Sequence, residues 1–249
     1  MKKEVLIRIA VLVLIVAALE IPCRTGTIPR TTVLPPSEMA GALWEILLKG
    51  KYRADMAKTA GNVLLAALSA IVLGATIAAA LRGVPWLRRM LSPLFASYYA
   101  IPHFVFYPLL IVIFGMNDWP LIAIGFLFGL VVMIVNALDG FDRIPRVLIK
   151  VGNVHKLGIV REFLLIKLPA AAPGLLSGAK LAIAYSVIGV VAGEFILSTA
   201  GLGYRIAQSY DSFHTRDMYG LLLLLLGTVT TINMTLHYIE QRLERRWRR

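Results

Sequence analysis

Charge is scarce in this chain: only 16% of its 249 residues are Asp, Glu, Lys or Arg, against about a quarter in an ordinary soluble domain. With 58% of residues hydrophobic and a mean hydropathy of +0.76, one water-exposed fold could not bury the apolar surface, and lipid is the expected solvent for most of the chain. Cysteine is scarcer still. Cys23 stands alone, which excludes an intrachain disulfide and a cysteine-held metal cluster. It follows an apolar run as a lipoprotein cysteine would, but Glu20, Ile21 and Pro22 stand where processing needs small residues, so a lone, unreactive thiol is expected. Because no small-residue cleavage pattern follows residues 1–22, they read as an uncleaved first helix and not as a signal peptide. Also missing are a G-x-x-x-x-G-K-[ST] phosphate loop, a His/Asp/Glu cluster at metal-ligand spacing and a G-x-S-x-G elbow. Catalytic residues, metal ligands and a cofactor bound by this chain are therefore not expected. Acidic residues are outnumbered 14 to 26, giving a net charge of +12. In a soluble protein that excess would suggest nucleic acid. Here the cations sit at the ends of apolar runs with no aromatic-rich basic module, so a bilayer is the expected partner and nucleic acid is not.

What is present is long apolar runs. A helix needs about 20 apolar residues to cross the hydrocarbon core, and six stretches meet this: residues 5–22, 60–81, 94–117, 119–138, 168–195 and 218–239. The second, third, fourth and sixth contain no Asp, Glu, Lys or Arg. Backbone polar groups in lipid must pair within the segment, and ten-residue alternation is absent, so helices are expected and a β-barrel is not. Orientation follows from the cations. With the N-terminus inside, 17 of the 26 basic residues fall on the cytoplasmic side, among them Lys2, Lys3, Arg8, Arg82, Arg88, Arg146 and Arg245. The expectation is an all-α, multi-pass membrane protein of about six transmembrane helices, N-in and C-in, with residues 1–249 as one transmembrane domain.

Two connections are long. The outer one, 23–59, carries Pro35-Pro36-Ser37 and then Met39, Leu43, Trp44 and Leu47, a short amphipathic helix lying at the outer interface. The inner one, 139–167, sets Val147, Val151, Val154, Val160, Phe163 and Leu164 on a basic background at spacings near three and four. That is an amphipathic helix too polar to span; a cytoplasmic loop needs such an apolar face only if it docks on something.

The fifth run bears small residues at Gly174, Gly178, Ala182 and Ser186, then Gly189 and Gly193, a groove that lets another backbone approach. It reads equally as packing within one bundle and as a dimer interface or wall of a translocation path. Lys180 and Glu194 are ionised residues well within spans, each costing about 2.5–3.5 kcal/mol at mid-bilayer; at 14 positions apart they stand about 21 Å apart along one helix and cannot pair. Lys180 is expected to snorkel inward, and Glu194 to face the bundle interior. Pro102 and Pro108 break the third run, with Tyr98, Tyr99, His103 and Tyr107 giving that region polar tips. In the sixth run the threonine hydroxyls can bond their own helix, and His237 reads as an interfacial histidine. An ion-coupled secondary transporter would need more intramembrane acid than Glu194 supplies, and a membrane enzyme would need a catalytic constellation.

The stretch IKLPAAAPGLLSGAKLAIAYS (166–186) resembles the end of the cytoplasmic "EAA" loop of binding-protein-dependent ABC importer permeases, whose pattern closes in I-x-L-P, here Ile166, Leu168 and Pro169. VLPPS (33–37), PWLRRMLSP (85–93), AIP (100–102), YPLLIVIFGM (107–116), VVAGEF (190–195) and GLGYRI (201–206) follow the family order and resemble its nitrate/sulfonate/taurine and thiamine-precursor branch. The family's Glu, Ala, Ala and Gly fall on Val151, Gly152, Asn153 and Lys156 and match none of them. The resemblance implies a type I ABC importer permease fold in the inner membrane of a prokaryote. It also implies a homodimer, an extracytoplasmic substrate-binding protein, and two ATP-binding cassette subunits that hold the ATP and Mg. The ATPase-coupling loop would then use Val147, Val151, Val154, Lys156, Leu157, Gly158, Val160, Phe163, Leu168 and Pro169. A translocation path or dimer interface would use Pro102, His103, Tyr107, Gly178, Ala182, Ser186, Gly189, Gly193 and Glu194.

Overall fold

The computed structural model describes residues 2–29, 32–98 and 100–247, for 2–6, 8, 9, 12 and 243–247 the backbone alone. Tyr99 and the side chains of Lys2, Lys3, Arg8 and Arg245 thus lie outside the described residues. Those described form helices and no strand: α1 (Lys2–Thr25), α2 (Pro36–Lys49), α3 (Arg53–Gly83), α4 (Pro85–Tyr98), a 3-10 turn (His103–Phe106), α5 (Tyr107–Phe114), α6 (Trp119–Asp142), α7 (Arg146–Val154), α8 (Ile159–Glu162), a π turn (Phe163–Lys167), α9 (Leu168–Leu197), α10 (Leu202–Asp211) and α11 (Thr215–Trp247).

Among the described residues four helices are long and apolar enough to cross a membrane: α3, α6, the run Ile159–Leu197, and Thr215–Arg242 within α11. The third expected span is not one straight helix. It divides into α4 and the His103–Phe114 helix, bent by 98°, because Pro102 cannot donate the backbone bond that would carry α4 onward. Counted as one span, the bent pair makes a fifth. The first expected span falls on α1. The inner connection also differs from a simple loop, since its second half runs unbroken into α9. Pro169 has no N–H for the Leu165 carbonyl and its ring would strike it, and the widened π turn just before it relieves that clash.

The chain divides into two compact units. One comprises Thr59–Gly193 and Val229–Arg249. Its core gathers Ala78 and Leu81 of α3, Met133, Ile134, Ala137 and Phe141 of α6, and Ala171 and Ala182 of α9, with Leu87, Leu91 and Phe95 of α4 packed against them. The other comprises Met1–Lys58 and Glu194–Thr228. There Ile46 of α2 packs with Tyr52, Leu202, Ile206, Leu221 and Leu224. Pro36 at the first turn starts α2, and Gly50 at φ 61° ends it, donating its N–H to the Ile46 carbonyl. The amphipathic helix expected near Pro35 is thus present, with Ala42 and Ile46 buried and Trp44, Leu47 and Leu48 exposed.

Candidate functional site

The apolar face expected in the inner connection is present and uncovered. Along α7, Val147, Val151 and Val154 share one face at 68%, 43% and 79% exposure, and Ile159 and Val160 continue it at 85% and 70%. Lys156, Gly158, Leu168 and Pro169 are also exposed, whereas Leu157 and Phe163 are half-buried. Phe163 turns inward onto Phe141, ring centroids 6.1 Å apart. Gly152 is what holds α7 down: a Cβ there would lie 3.0 Å from Ile166 Cδ1 and 3.1 Å from Glu162 Cγ. Lys156 closes the helix at φ 50°, the backbone region a glycine adopts most readily.

The small-residue stripe of α9 is filled from within the chain. A Cβ on Gly140 would stand 2.9 Å from the Gly174 Cα, one on Gly189 2.8 Å from the Gly125 Cα, and one on Gly129 2.7 Å from Ser186 Oγ. Gly178 meets Asn136 and Met133, and Gly193 meets Leu121. All of these partners belong to α6, so Gly178, Ala182, Ser186, Gly189 and Gly193 are buried in a helix–helix seam. The face they form is already occupied and is not open to a second copy or a solute.

Lys180 does not snorkel. Its Nζ donates to Glu240 Oε2 at 2.7 Å, and Ser177 Oγ donates to Glu240 Oε1 at 2.6 Å, tying α9 to the end of α11. His237 Nδ1 lies 3.5 Å from the same carboxylate. Glu194 is fully buried and accepts the Gly203 N–H at 3.1 Å. Beside it in the same unit, Asp55 accepts the Gly201 N–H at 2.9 Å and Arg205 Nε at 2.8 Å. Two carboxylates therefore cap the first turn of α10, where orphan N–H groups favour negative charge. Nearby, Lys51 Nζ and the Tyr52 hydroxyl both donate to Asp217 Oδ2, at 2.6 and 2.9 Å. The hydrogen bond to Asp217 raises the Lys51 ammonium above its ordinary pKa.

At the break before α5, His103 is buried between Tyr98 and Phe128, each ring centroid 4.5 Å away. Its Nε2 has no hydrogen-bond partner among the described residues, and the Tyr98 hydroxyl donates to the Leu127 carbonyl at 2.9 Å. Pro102 is exposed and Tyr107 half-buried. Sequence reasoning missed a cavity of about 380 Å³ lined by Arg88, Ser92, Phe95, Asn136, Asp139 and Asp142. Arg88 Nη1 donates to Asp142 Oδ1 at 2.6 Å across it. Asn136 lies in an otherwise apolar run, and that was the available signal.

Residues 70–249 match the family described as binding-protein-dependent transport system inner membrane component. A riboflavin transport system permease protein of Chloroflexus aurantiacus is 29% identical over 167 residues, which cover 66% of this chain and 61% of that protein. A nitrate import permease protein of Leptolyngbya laminosa is 27% identical over 191 residues, 71% of this chain and 67% of the relative. The match to the first of these thus spans about three fifths of its length. Among solved structures, the MetNI methionine ABC transporter in an inward facing conformation superposes with a TM-score of 0.67 at 20% identity, over 79% of this chain and 97% of that one. That likeness shows the fold, the all-helical one expected from the resemblance.

Proposed function

Because the chain belongs to the family of binding-protein-dependent transport system inner membrane components, we propose that it is the membrane-spanning permease subunit of an ATP-driven importer. Residues 1–249 act as one permease domain, multi-pass in a prokaryotic inner membrane and N-in/C-in by the distribution of its cations. Two copies form the passage for a small solute handed over by an external binding protein. ATP and Mg are held by separate ATPase subunits, and this chain binds neither.

The observation that carries this reading is the uncovered face of Val147, Val151 and Val154, continued by Ile159 and Val160. The excess of inner cations puts it in the cytosol, where water leaves it unpartnered. An apolar patch rimmed by Arg146, Lys150 and Lys156 fits a protein cleft. Solute binding alone cannot drive uphill import; the ATPase must change the relative stability of inward- and outward-open packings, and a helix gripped from outside transmits that change. The partnering of Lys180 by Glu240 and of Glu194 by Gly203 leaves an ion-coupled carrier without its motivating residues.

The test is Val154→Asp in the assembled transporter, read by solute-stimulated ATP hydrolysis and uptake into vesicles. Coupling should be lost while membrane insertion and the yield of folded chain stay unchanged. Normal uptake by this variant, or solute movement by the purified chain with no second polypeptide, would overturn the proposal.

A further inference from the structure

We infer that this chain carries a site for an anionic phospholipid of the inner leaflet, at the end of α3. A cavity of about 400 Å³ opens there between α3 and the start of the α8–α9 run, lined by Arg82, Gly83, Val160, Phe163, Leu164 and Lys167. The lining contains two cations and no carboxylate.

Arg82 stacks over the Phe141 ring, 5.4 Å from its centroid, and its Nη1 is buried with no hydrogen-bond partner among the described residues. Arg82 is thus one hydrogen bond short at an enclosed nitrogen, and an acceptor reaches its guanidinium only from the cavity that the side chain lines. Asp142 gives that nitrogen no hydrogen bond, being bound through both oxygens by Arg88, although its charge acts on Arg82 through space. Lys167 shares its charge with Glu162 Oε1 at 3.1 Å, which leaves Arg82 as the principal anion-seeking group.

The walls say which anion. Val160 and Leu164 are 70% and 53% exposed, so the mouth of the cavity is apolar and suits acyl chain. The site sits where the 31-residue α3 ends, at the side the basic residues assign to the cytoplasm. An unsatisfied cation at headgroup depth with hydrocarbon-compatible walls is the arrangement that retains an acidic headgroup. A free inorganic anion would gain nothing from Val160 and Leu164, and a protein segment would need a carboxylate side chain placed beside hydrocarbon. Val160 borders both this cavity and the face offered to the ATPase, so a lipid seated here adjoins that docking face; the purified chain, which carries no ATPase, tests the lipid site apart from the importer reading.

The test uses the purified full-length chain exchanged into mixed micelles holding equal phosphatidylglycerol and phosphatidylcholine, with retained lipid measured by native mass spectrometry. The wild type should retain phosphatidylglycerol preferentially, and 10 mM inorganic phosphate, on the order of a saturating competitor for a bare anion site, should not displace it. Arg82→Gln should lower the preference by roughly fivefold and Lys167→Gln by a smaller but measurable factor, Arg82→Lys should keep most of it, and Arg89→Gln on exposed α4 should leave it unchanged. Should Arg82→Gln fail to fold, Leu164→Asp at the exposed wall tests the same cavity by repulsion and should abolish the preference. Equal retention of the two lipids by wild type, displacement by phosphate, or unaltered preference in Lys167→Gln and Leu164→Asp would each overturn the site.

Discussion

Removing the Lys180 ammonium should destabilise the chain far more than removing both members of its ion pair. The two side chains are 27% and 12% exposed and meet at 2.7 Å. At an effective dielectric near 20 their gross attraction is about 6 kcal/mol. Most of that offsets desolvation, so the pair adds little over an apolar replacement. A lone charge left behind is a different matter, costing about 3 kcal/mol on insertion scales. Lys180→Met should therefore lose about 3 kcal/mol, with Glu240 left to Ser177 and His237. Glu240→Leu should lose a similar amount, with Lys180 stranded on α9. The double variant Lys180→Met/Glu240→Leu should lose only about 1 kcal/mol, a coupling of several kcal/mol where independent sites would add to within about 0.5 kcal/mol. Reversible SDS titration of the purified chain in mixed micelles, followed by helical circular dichroism, measures all three. Additive losses in the double variant would refute the pairing, and so would single losses below about 0.5 kcal/mol.

The seam between α6 and α9 should be equally selective. Gly140→Leu drives a side chain into the Gly174 backbone and should cost about 3 kcal/mol or prevent recovery of folded chain. Gly61→Ala on α3 meets nothing within 4 Å and should be neutral or gain up to about 1 kcal/mol of helix propensity; the SDS titration distinguishes the two. His103→Phe should leave stability within about 1 kcal/mol of wild type, since the ring fills the space between Tyr98 and Phe128 without a hydrogen bond at Nε2; a loss beyond about 2 kcal/mol would reveal a polar partner. Lys156→Gly should raise the melting temperature slightly, because the left-handed backbone at φ 50° costs a side-chain-bearing residue about 1 kcal/mol; a fall would mean that the lysine side chain holds the turn.

Helix class and the amphipathic character of both long connections were legible because each depends on local pattern: length of apolar run, Pro35-Pro36 before α2, spacings of three and four along α7. The proline break was legible as a break, but the 98° bend was not, since its size is set by what packs against α4 and α5. Lys180 was misjudged for a related reason. Snorkelling is what a lysine does with local options only, and its partner Glu240 stands 60 positions away, beyond the reach of any local pattern. The glycine stripe showed that a backbone would come close. Whose backbone it was could not be read until Gly125, Gly129 and Gly140 of α6 were seen opposite.

Lys156 joins these strands. The family's glycine position falls on it, so by sequence the coupling motif looks lost. By geometry the position is kept, because Lys156 takes the left-handed backbone that a glycine there would take, and the next residue's N–H still closes on the Gly152 carbonyl at 3.1 Å. The turn is over-determined by its surroundings: Gly152 is pinned against Ile166 and Glu162, and the π turn sets where α9 begins. A conformation imposed from both sides tolerates a residue that would not choose it. The degenerate motif and the intact apolar face are then compatible, since the face of Val147, Val151 and Val154, on which we propose that the ATPase docks, is aimed by the turn and not by the identity of the residue within it.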